Sequence, residues 1–530
     1  MKPTEVDLIL FNGHVYTVDS TFSVAASFAV KDGKFVAVGT NEEIARRYQS
    51  AHLIDAGGKA VYPGFNDGHC HFYGFGENLF RYAELAGAAS FAEVIDRLKQ
   101  HAASHPSEWL LGRGWDQNLW EGRQFPTNEA LEEVFPNKKI LLLRIDGHAS
   151  LVSKAALELA GISAKTQIEG GEVLLGKDGK PTGVLIDNAD APVKALVPKL
   201  TDDEKKTALL EAQKRCFAVG LTSVTDAGLP YATIRLIEEL QSQGTLKMKV
   251  NAMIDPDEET MNHYLPSGPY SSGMLSVRSV KLYADGALGS RGAKMKAPYS
   301  DAPDKSGLIM HETSFYQNVI QRAYDAGFQV NTHAIGDSGV SMMLGLYGAV
   351  LKGSNDRRWR IEHAQVVDEV DFARFATYNI IPSIQSTHAT SDMGWAAERV
   401  GNDRVKGAYA QKRLLSANGW LVNGTDFPIE NINPVYTFYA AVFRKDLNGK
   451  PAEGFQMENA LSREEALRSI TIWPAKGAFE EIRKGSIEPS KAADFVILSA
   501  DLMKAAESEI VGAVPLQVFS NGKQVFSKAD

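Results

Sequence analysis

The sequence predicts an α/β protein that combines a (β/α)8 TIM-like barrel, a large insertion in that barrel, and a β-sandwich domain formed by both chain termini. Three observations lead to this prediction. Alternating apolar residues, broken by Asn-Gly or Asp-Gly pairs, occur near both ends of the chain. Between them, short apolar runs alternate repeatedly with amphipathic helical stretches. The chain has 530 residues, which is too long for one small core.

The two ends of the chain predict β-hairpins of one small sheet domain. The N-terminal stretches DLILFNGHVYTVD and SFAVKDGKFVAVG show the alternation and the turn dipeptides that are typical of hairpins. The C-terminal stretches DFVILSADL and LQVFSNGKQVFS repeat this pattern. We therefore assign residues 1–61 plus 476–530 to a composite β-sandwich domain.

Residues 62–475 predict the barrel. Apolar runs such as KILLLRIDG, GLTSVTDAG and FQVNTHAIGD alternate with helical stretches such as TDDEKKTALLEAQKRCFAVG. Strand–helix alternation is typical of parallel α/β folds, and its repetition in one domain favours a closed (β/α)8 barrel. Because a barrel typically needs roughly 250 residues, we expect a large insertion at about residues 80–210.

Composition limits the function classes. A hydrophobic fraction of 44% and a charged fraction of 23% are typical of an ordinary globular protein. The net charge of -9, with no Lys/Arg-rich run, argues against a nucleic-acid partner. Two cysteines argue against a disulfide framework. We find no membrane segment and no signal peptide and expect a cytoplasmic protein, although a chain trimmed of its signal peptide would look the same.

Residues that can bind a metal recur at the ends of the predicted strands. His69 and His71 form a His-x-His pair in PGFNDGHCHF, and positions i and i+2 of a strand point the same way. Active sites of barrels lie at the carboxyl ends of the strands. The further candidates, in successive strand contexts, are Lys281 in SVKLYADG, His333 in NTHAIGD, His363 in RIEHAQ and Asp426 in VNGTDFP.

Each of these residues also has an ordinary structural role open to it. An isolated histidine is more often a core or loop residue than a ligand. Asp426 follows Gly-Thr and can cap a turn, and Lys281 can extend its ammonium to water. Their coincidence at successive strand ends, in the order His-x-His, Lys, His, His, Asp, favours a metal site.

These motifs closely resemble those of the amidohydrolase superfamily, in particular the branch of amidohydrolase family 3 that includes N-substituted formamide deformylases and YtcJ-like hydrolases. The resemblance extends from about residue 5 to the C-terminus. One departure is Gly292, where relatives often have Thr. The matching stretches are PGFNDGHCHF, GRGWDQNLW, RIDGH, PTGVLID, GLTSVTDAG, VKLYADGALGSRGA, NTHAIGD, RIEHAQ, NGTDFP and GSIEPSKAADFVIL.

The resemblance implies a hydrolase of small amide-like substrates that uses one or two divalent cations per chain. Zn²⁺ suits the ligands, and Mn²⁺, Fe²⁺ or Co²⁺ can replace it. The implied reaction is cleavage of a C–N amide or N-formyl bond by a metal-bound hydroxide, with a carboxylate as general base and then general acid. The implied roles place His69 and His71 on one cation, His333 and His363 on a second, Lys281 between them as a carbamate made with carbon dioxide, and Asp426 as ligand and acid–base residue.

Five residues on rim loops are candidates for substrate binding, and each can equally be structural. They are Trp115 and Asp116 in GRGWD, His148 in RIDGH, and Ser290 and Arg291 in LGSR.

Three other functions stay open at the sequence level. An esterase or lactonase needs the same centre as an amidase and cannot be separated from it by sequence. A mononuclear deaminase of a heterocyclic base needs no bridging lysine, so Lys281 argues against it. A non-catalytic barrel would be expected to have lost a ligand, whereas the full set is present. The physiological substrate and the formation of a homo-oligomer are not readable from the sequence.

Overall fold

The computed structural model describes residues 2–528, and a parallel eight-stranded barrel forms its centre. Each strand pairs in parallel with the next one along the chain. The predicted barrel is therefore confirmed. Its strands are β1 (Phe65–Cys70), β2 (Leu221–Leu229), β3 (Lys249–Ile254), β4 (Leu275–Tyr283), β5 (Gln329–Ala334), β6 (Arg360–His363), β7 (Ile381–Ile384) and β8 (Val422–Asn423).

The first and last strands meet through backbone hydrogen bonds at their carboxyl ends. The Asp426 N–H donates to the His69 carbonyl at 2.8 Å, and the His71 N–H donates to the Phe427 carbonyl at 2.8 Å. Gly424 permits this approach, because a side chain there would collide with the His69 backbone. This seam places the His-x-His pair directly beside Asp426.

Helices cover the outside of the barrel and pack apolar side chains against its strands. The helix Asp202–Ala218 begins with a capping box, in which Thr201 accepts from the Glu204 N–H and Glu204 accepts from the Thr201 N–H. Within residues 2–528 no helix is both long and apolar enough to cross a membrane. The other helices that follow barrel strands are Phe72–Arg81, Tyr231–Ser242, Glu258–Tyr264, Thr313–Asp325, Asp337–Leu351, Phe372–Thr377, Ser386–Asp392, Ala396–Arg404, Gln411–Asn418, Pro434–Phe443, Arg463–Ser469 and Ile472–Gly477.

Both chain ends contribute to a β-sandwich, as predicted. The rings of Phe28 and Phe35 from one sheet pack edge-on at 5.0 Å, and Phe28 contacts Phe495 of the other sheet at 4.9 Å. The domain boundaries after residues 61 and 475 stay predictions. In spatial order, one sheet contains Lys34–Gly39, Ser27–Lys31, Leu8–Phe11 and Leu53–Asp55, and the other contains Lys523–Ser527, Pro515–Ser520, Phe495–Leu498, Ala60–Pro63, His14–Tyr16 and Val24–Ala25.

A separate six-stranded sheet lies between β1 and β2 along the chain. It builds its own apolar clusters on its two faces. The run KILLLRIDG has the apolar character of a barrel strand, but the structure places it in this sheet. In spatial order the strands are Ala83–Glu84, Trp109–Trp115, Lys139–Arg144, Ala149–Val152, Pro181–Asp187 and Gly171–Leu175.

Candidate metal centre

A cavity of about 550 Å³ lies at the carboxyl ends of the barrel strands, where the insertion sheet meets the barrel. This is the position at which barrel enzymes carry their active sites. Its lining includes His71, Lys281, His333, His363, His388 and Asp426 from the barrel, and Glu84, Asp116, Arg144, Asp146 and His148 from the insertion.

The His-x-His pair and Asp426 form the first group of metal-binding atoms. Asp426 Oδ1 lies 3.3 Å from His71 Nε2 and 3.5 Å from His69 Nε2. Tetrahedral ligands held about 2.1 Å from a Zn²⁺ ion are separated by about 3.4 Å. The three atoms are therefore spaced to share one cation.

The other oxygen of Asp426 belongs to a second group. Asp426 Oδ2 lies 3.6 Å from His388 Nε2 and 4.0 Å from His363 Nδ1. Among the described residues, His363 Nδ1, His388 Nε2 and Asp426 Oδ1 are buried and have no hydrogen-bond partner. Such orphaned atoms are costly to bury. A cation at the first group would satisfy Asp426 Oδ1, and a cation at the second group would satisfy His363 Nδ1 and His388 Nε2. The donor set therefore fits a divalent metal centre.

Lys281 and His333 lie beside these groups. Lys281 Nζ is 3.4 Å from His69 Nε2, at the end of a fully buried side chain. The His333 ring lies 4.5 Å from the His363 ring, and His333 Nε2 is 3.2 Å from the Gly286 carbonyl oxygen. The structure thus brings all six predicted ligands into one place, while their individual roles stay predictions.

The protonation states at the centre suit metal binding. Burial lowers the pKa of His69 to about 4 and holds the pKa values of His333 and His363 well below the usual value. These imidazoles are therefore neutral, which is the form that binds metals. Burial opposes ionisation of Asp426, but its contact with His71 holds its pKa well below the usual value.

A buried ion pair fixes the orientation of His69. Glu362 Oε2 lies 2.5 Å from His69 Nδ1, and Arg360 Nε donates to Glu362 Oε1 at 2.6 Å. A carboxylate on the far nitrogen of a metal-binding histidine fixes its tautomer and ring position. Here it turns His69 Nε2 toward Asp426. Sequence reasoning missed this pair, although the alternation in RIEHAQ places both charges on one face of β6.

His388 is the second residue that sequence reasoning missed. It lies in the first turn of the helix Ser386–Asp392, four residues after the end of β7. The expectation that barrel ligands occur at strand ends does not predict His388, because this residue lies on the helix that follows the strand. The stretch IIPSIQSTH, a predicted strand followed at once by a histidine, was the only available signal.

Two of the five rim candidates line the cavity. Asp116 is paired there with the buried Arg144, which also donates to Asp146 at 2.5 Å. The His148 imidazole lies 2.8 Å from Asp187. Burial lowers the pKa of His148, but its contact with Asp187 outweighs this, so that the pKa is raised. Both residues come from the insertion, which therefore forms part of the site.

The other three rim candidates lie outside the lining of the cavity. Trp115 is fully buried in the insertion, where its indole N–H donates to a backbone carbonyl at 2.8 Å. The Ser290 hydroxyl donates to a backbone carbonyl at 3.2 Å, and Arg291 binds Asp301 at 2.8 Å. Their polar groups are used within the fold, and the structure does not bring them to the cavity.

Comparison with known proteins gives the family. The sequence model of the amidohydrolase family matches residues 52–526. The chain belongs to the amidohydrolase family. This amidohydrolase is 30% identical over 534 residues to the putative amidohydrolase YtcJ of Bacillus subtilis (strain 168), with 98% of this chain and 99% of the relative covered. It is 26% identical over 547 residues to the N-substituted formamide deformylase of Arthrobacter pascens, with 97% of each chain covered.

A solved structure supports the same assignment. The crystal structure of an uncharacterized metal-dependent hydrolase from Pyrococcus horikoshii OT3 superimposes with a TM-score of 0.75 and 28% sequence identity, covering 94% of this amidohydrolase and 99% of that chain. The resemblance read from the motifs is confirmed. The protein is a metal-dependent hydrolase of the amidohydrolase superfamily.

Proposed function

We propose that this amidohydrolase cleaves the C–N bond of a small amide or N-formyl amine. The observation that carries the proposal is the position of Asp426, one oxygen of which faces His69 and His71 while the other faces His363 and His388. A cavity of about 550 Å³ beside this residue is large enough for a small-molecule substrate. The similarity to an N-substituted formamide deformylase supports a C–N bond as the target.

The bound cations would acidify a water molecule and polarise the scissile carbonyl, for which Zn²⁺ is the proposed ion and Mn²⁺, Fe²⁺ or Co²⁺ are alternatives. The protein's part is to hold the ligands in a fixed arrangement. His69 is held by Glu362, and His71 is held by its own backbone, whose N–H donates to the Phe427 carbonyl. Because burial lowers the pKa of His69, this imidazole need lose no proton to bind the metal.

Asp426 is the proposed acid–base residue. Its carboxylate accepts a proton from the attacking water and then passes that proton to the leaving nitrogen. An amine leaves readily only when it is protonated, so this transfer matters more for an amide than for an ester. The left-handed backbone of Asp426, with φ of 60°, and its N–H bond to His69 hold the carboxylate at the rim.

Lys281 is the proposed bridging ligand. Burial lowers the pKa of its ammonium to about 8, which increases the fraction of neutral amine at neutral pH. That amine can form an N–C bond with carbon dioxide and release a proton, which gives a carbamate able to bind two cations. The position of Nζ, 3.4 Å from His69 Nε2, supports this role.

Metal analysis tests the bridge. We expect reconstituted wild-type protein to hold two equivalents and Lys281→Met to hold fewer than two, because the proposed bridge would supply a ligand to each cation. Lys180→Met, at a side chain 82% exposed, is the matched control and should hold two equivalents. Two equivalents in Lys281→Met would exclude the bridge, and less than about half an equivalent in wild type would exclude the centre.

A substrate panel tests the proposed reaction. Metal-replete protein should hydrolyse N-formyl amines and simple amides, with release of one amine per turnover, and chelation should abolish this activity. Esters and lactones of matched size form the comparison, because they need the same nucleophile but no protonated amine. Turnover of esters alone would contradict the proposal and favour an esterase or lactonase.

A further inference from the structure

Asp67 is a buried carboxylate that the proposed mechanism does not use. It lies on β1, two residues before His69. Because successive side chains of a strand alternate between its two faces, Asp67, His69 and His71 face the inside of the barrel together. Within residues 2–528 Asp67 forms no ion pair with a basic side chain. A buried charge without a counter-charge is costly, so the role of this residue lies in the hydrogen bonds that it accepts.

The hydrogen bonds of Asp67 join β1 to the segment that follows β8. Oδ1 accepts from the His69 N–H at 3.0 Å and from the Thr425 N–H at 3.1 Å. Oδ2 accepts from the Thr425 hydroxyl at 2.6 Å. The oxygen of that hydroxyl in turn accepts from the Phe427 N–H at 3.0 Å. One carboxylate therefore holds the backbone of His69 directly, and both chain neighbours of Asp426 either directly or through Thr425.

The backbone around Asp426 needs this support. Asp426 has a left-handed conformation, with φ of 60°, which is uncommon for a residue that carries a side chain. Gly424 leaves room for the carboxylate, because a Cβ atom there would lie 2.8 Å from Asp67 Oδ1. Packed apolar side chains can join two strands without burying a charge. A carboxylate at this place therefore points to control of the backbone direction rather than to stability alone.

We propose that Asp67 is a positioning residue, which fixes the direction of the Asp426 carboxylate and of the His69 imidazole. Asp67 accepts every one of its hydrogen bonds to His69 and Thr425, so an amide at this position would turn an NH2 group toward a donor. The expected effect on turnover rests on the proposed function, because it assumes that Asp426 transfers the proton. The expected effect on metal binding does not depend on that assumption.

Metal affinity tests the positioning role without turnover. Co²⁺ is titrated into metal-free protein in competition with a chelator, and its visible absorption reports the arrangement of the ligands. We expect Asp67→Asn to bind Co²⁺ about 10-fold or more weakly than wild type, with an altered spectrum. Asp494→Asn is the matched control, because this buried carboxylate pairs with Lys249 at the amino end of β3, and it should lose stability but keep the affinity and the spectrum.

Substitutions at Thr425 test the same link with a smaller disturbance of the fold. Thr425→Val keeps the shape of the side chain but removes the hydroxyl that connects Asp67 to the Phe427 N–H. It should weaken Co²⁺ affinity and lower kcat in the same direction as Asp67→Asn. Thr425→Ser keeps the hydroxyl and should behave like wild type. These two variants decide the question even if Asp67→Asn does not fold.

A double-mutant cycle in kcat tests whether Asp67 acts through Asp426. At saturating metal, Asp67→Asn should lower kcat about 10-fold or more, because a small displacement of an acid–base group has effects of this size. If Asp67 acts through Asp426, the double variant Asp67→Asn/Asp426→Asn should turn over no more slowly than Asp426→Asn alone. A role independent of Asp426 would instead multiply the two losses.

The outcomes separate this inference from the proposed function. Wild-type Co²⁺ affinity and spectrum in both Asp67→Asn and Thr425→Val would overturn the positioning role, and so would losses of kcat that multiply in the double variant. Wild-type kcat in Asp426→Asn would contradict the acid–base role in the proposed function. Weaker Co²⁺ affinity in Asp67→Asn would in that case still support the positioning of the metal ligands.

Discussion

Asp426→Asn is expected to lower kcat by about 10²-fold or more, while the metal content after reconstitution stays near that of wild type. The amide keeps the shape of the side chain and a carbonyl oxygen that can face His71, but it cannot accept the proton of the attacking water. Asp403→Asn, at an exposed position outside the cavity, is the control and should leave kcat unchanged.

The pH profile gives a second measurement of the same residue. A general base works only when it is ionised, so kcat/KM of the wild-type protein should fall as the pH drops through the pKa of that base. In Asp426→Asn this acidic limb should vanish or shift. If Asp426 only caps the following turn, the asparagine is an equally good cap. Wild-type turnover with an unchanged acidic limb would then remove Asp426 from the mechanism.

Glu362→Gln should weaken both the fold and the metal centre. Arg360 and Glu362 are both fully buried, so the neutral side chain leaves Arg360 without a counter-charge. Removal of one partner from a buried ion pair typically costs about 3–5 kcal/mol of unfolding free energy. Loss of the carboxylate behind His69 should also weaken metal affinity by about 10–100-fold. Denaturant unfolding and chelator competition measure the two effects separately.

Two further variants show whether the buried ion pair is the cause of these losses in stability and metal affinity. Glu464→Gln breaks a pair between Glu464 and Arg468 in which the glutamate is 49% exposed, and such a surface pair contributes about 0.5 kcal/mol or less. The double variant Arg360→Leu/Glu362→Leu removes both buried charges, so it should regain much of the stability but not the metal affinity. Wild-type stability and wild-type affinity in Glu362→Gln would show that the ion pair supports neither.

Those parts of the fold that depend on local pattern could be predicted from the sequence. Asn-Gly and Asp-Gly turns marked the sandwich hairpins, and strand–helix alternation marked the barrel. The six proposed ligands were visible because a parallel barrel brings the carboxyl ends of its strands together, whichever residues lie between them. The run KILLLRIDG shows the limit, because an apolar strand of the insertion sheet has the same composition as a barrel strand.

The remaining site residues depend on three-dimensional convergence. His388 lies on a helix beyond the end of β7, where spacing along the chain does not fix the direction of the side chain. Trp115 and Asp116 are neighbours in GRGWD, yet one is buried in the insertion and the other faces the cavity. Adjacent residues at a strand end point to opposite sides, so a motif alone cannot tell which of them reaches a ligand.

The seam between β1 and β8 sets the order of events during synthesis. His71 leaves the ribosome roughly 350 residues before Asp426, which at typical elongation rates is an interval of roughly 20–70 seconds. Throughout that interval the nascent chain has a His-x-His pair but no carboxylate to complete the first cation site. The β-sandwich is completed later still, because its strand Ala60–Pro63 pairs with the strand Phe495–Leu498, which is synthesised after β8. Metal capture therefore follows the synthesis of β8, and truncated products that end before β8 cannot assemble the centre.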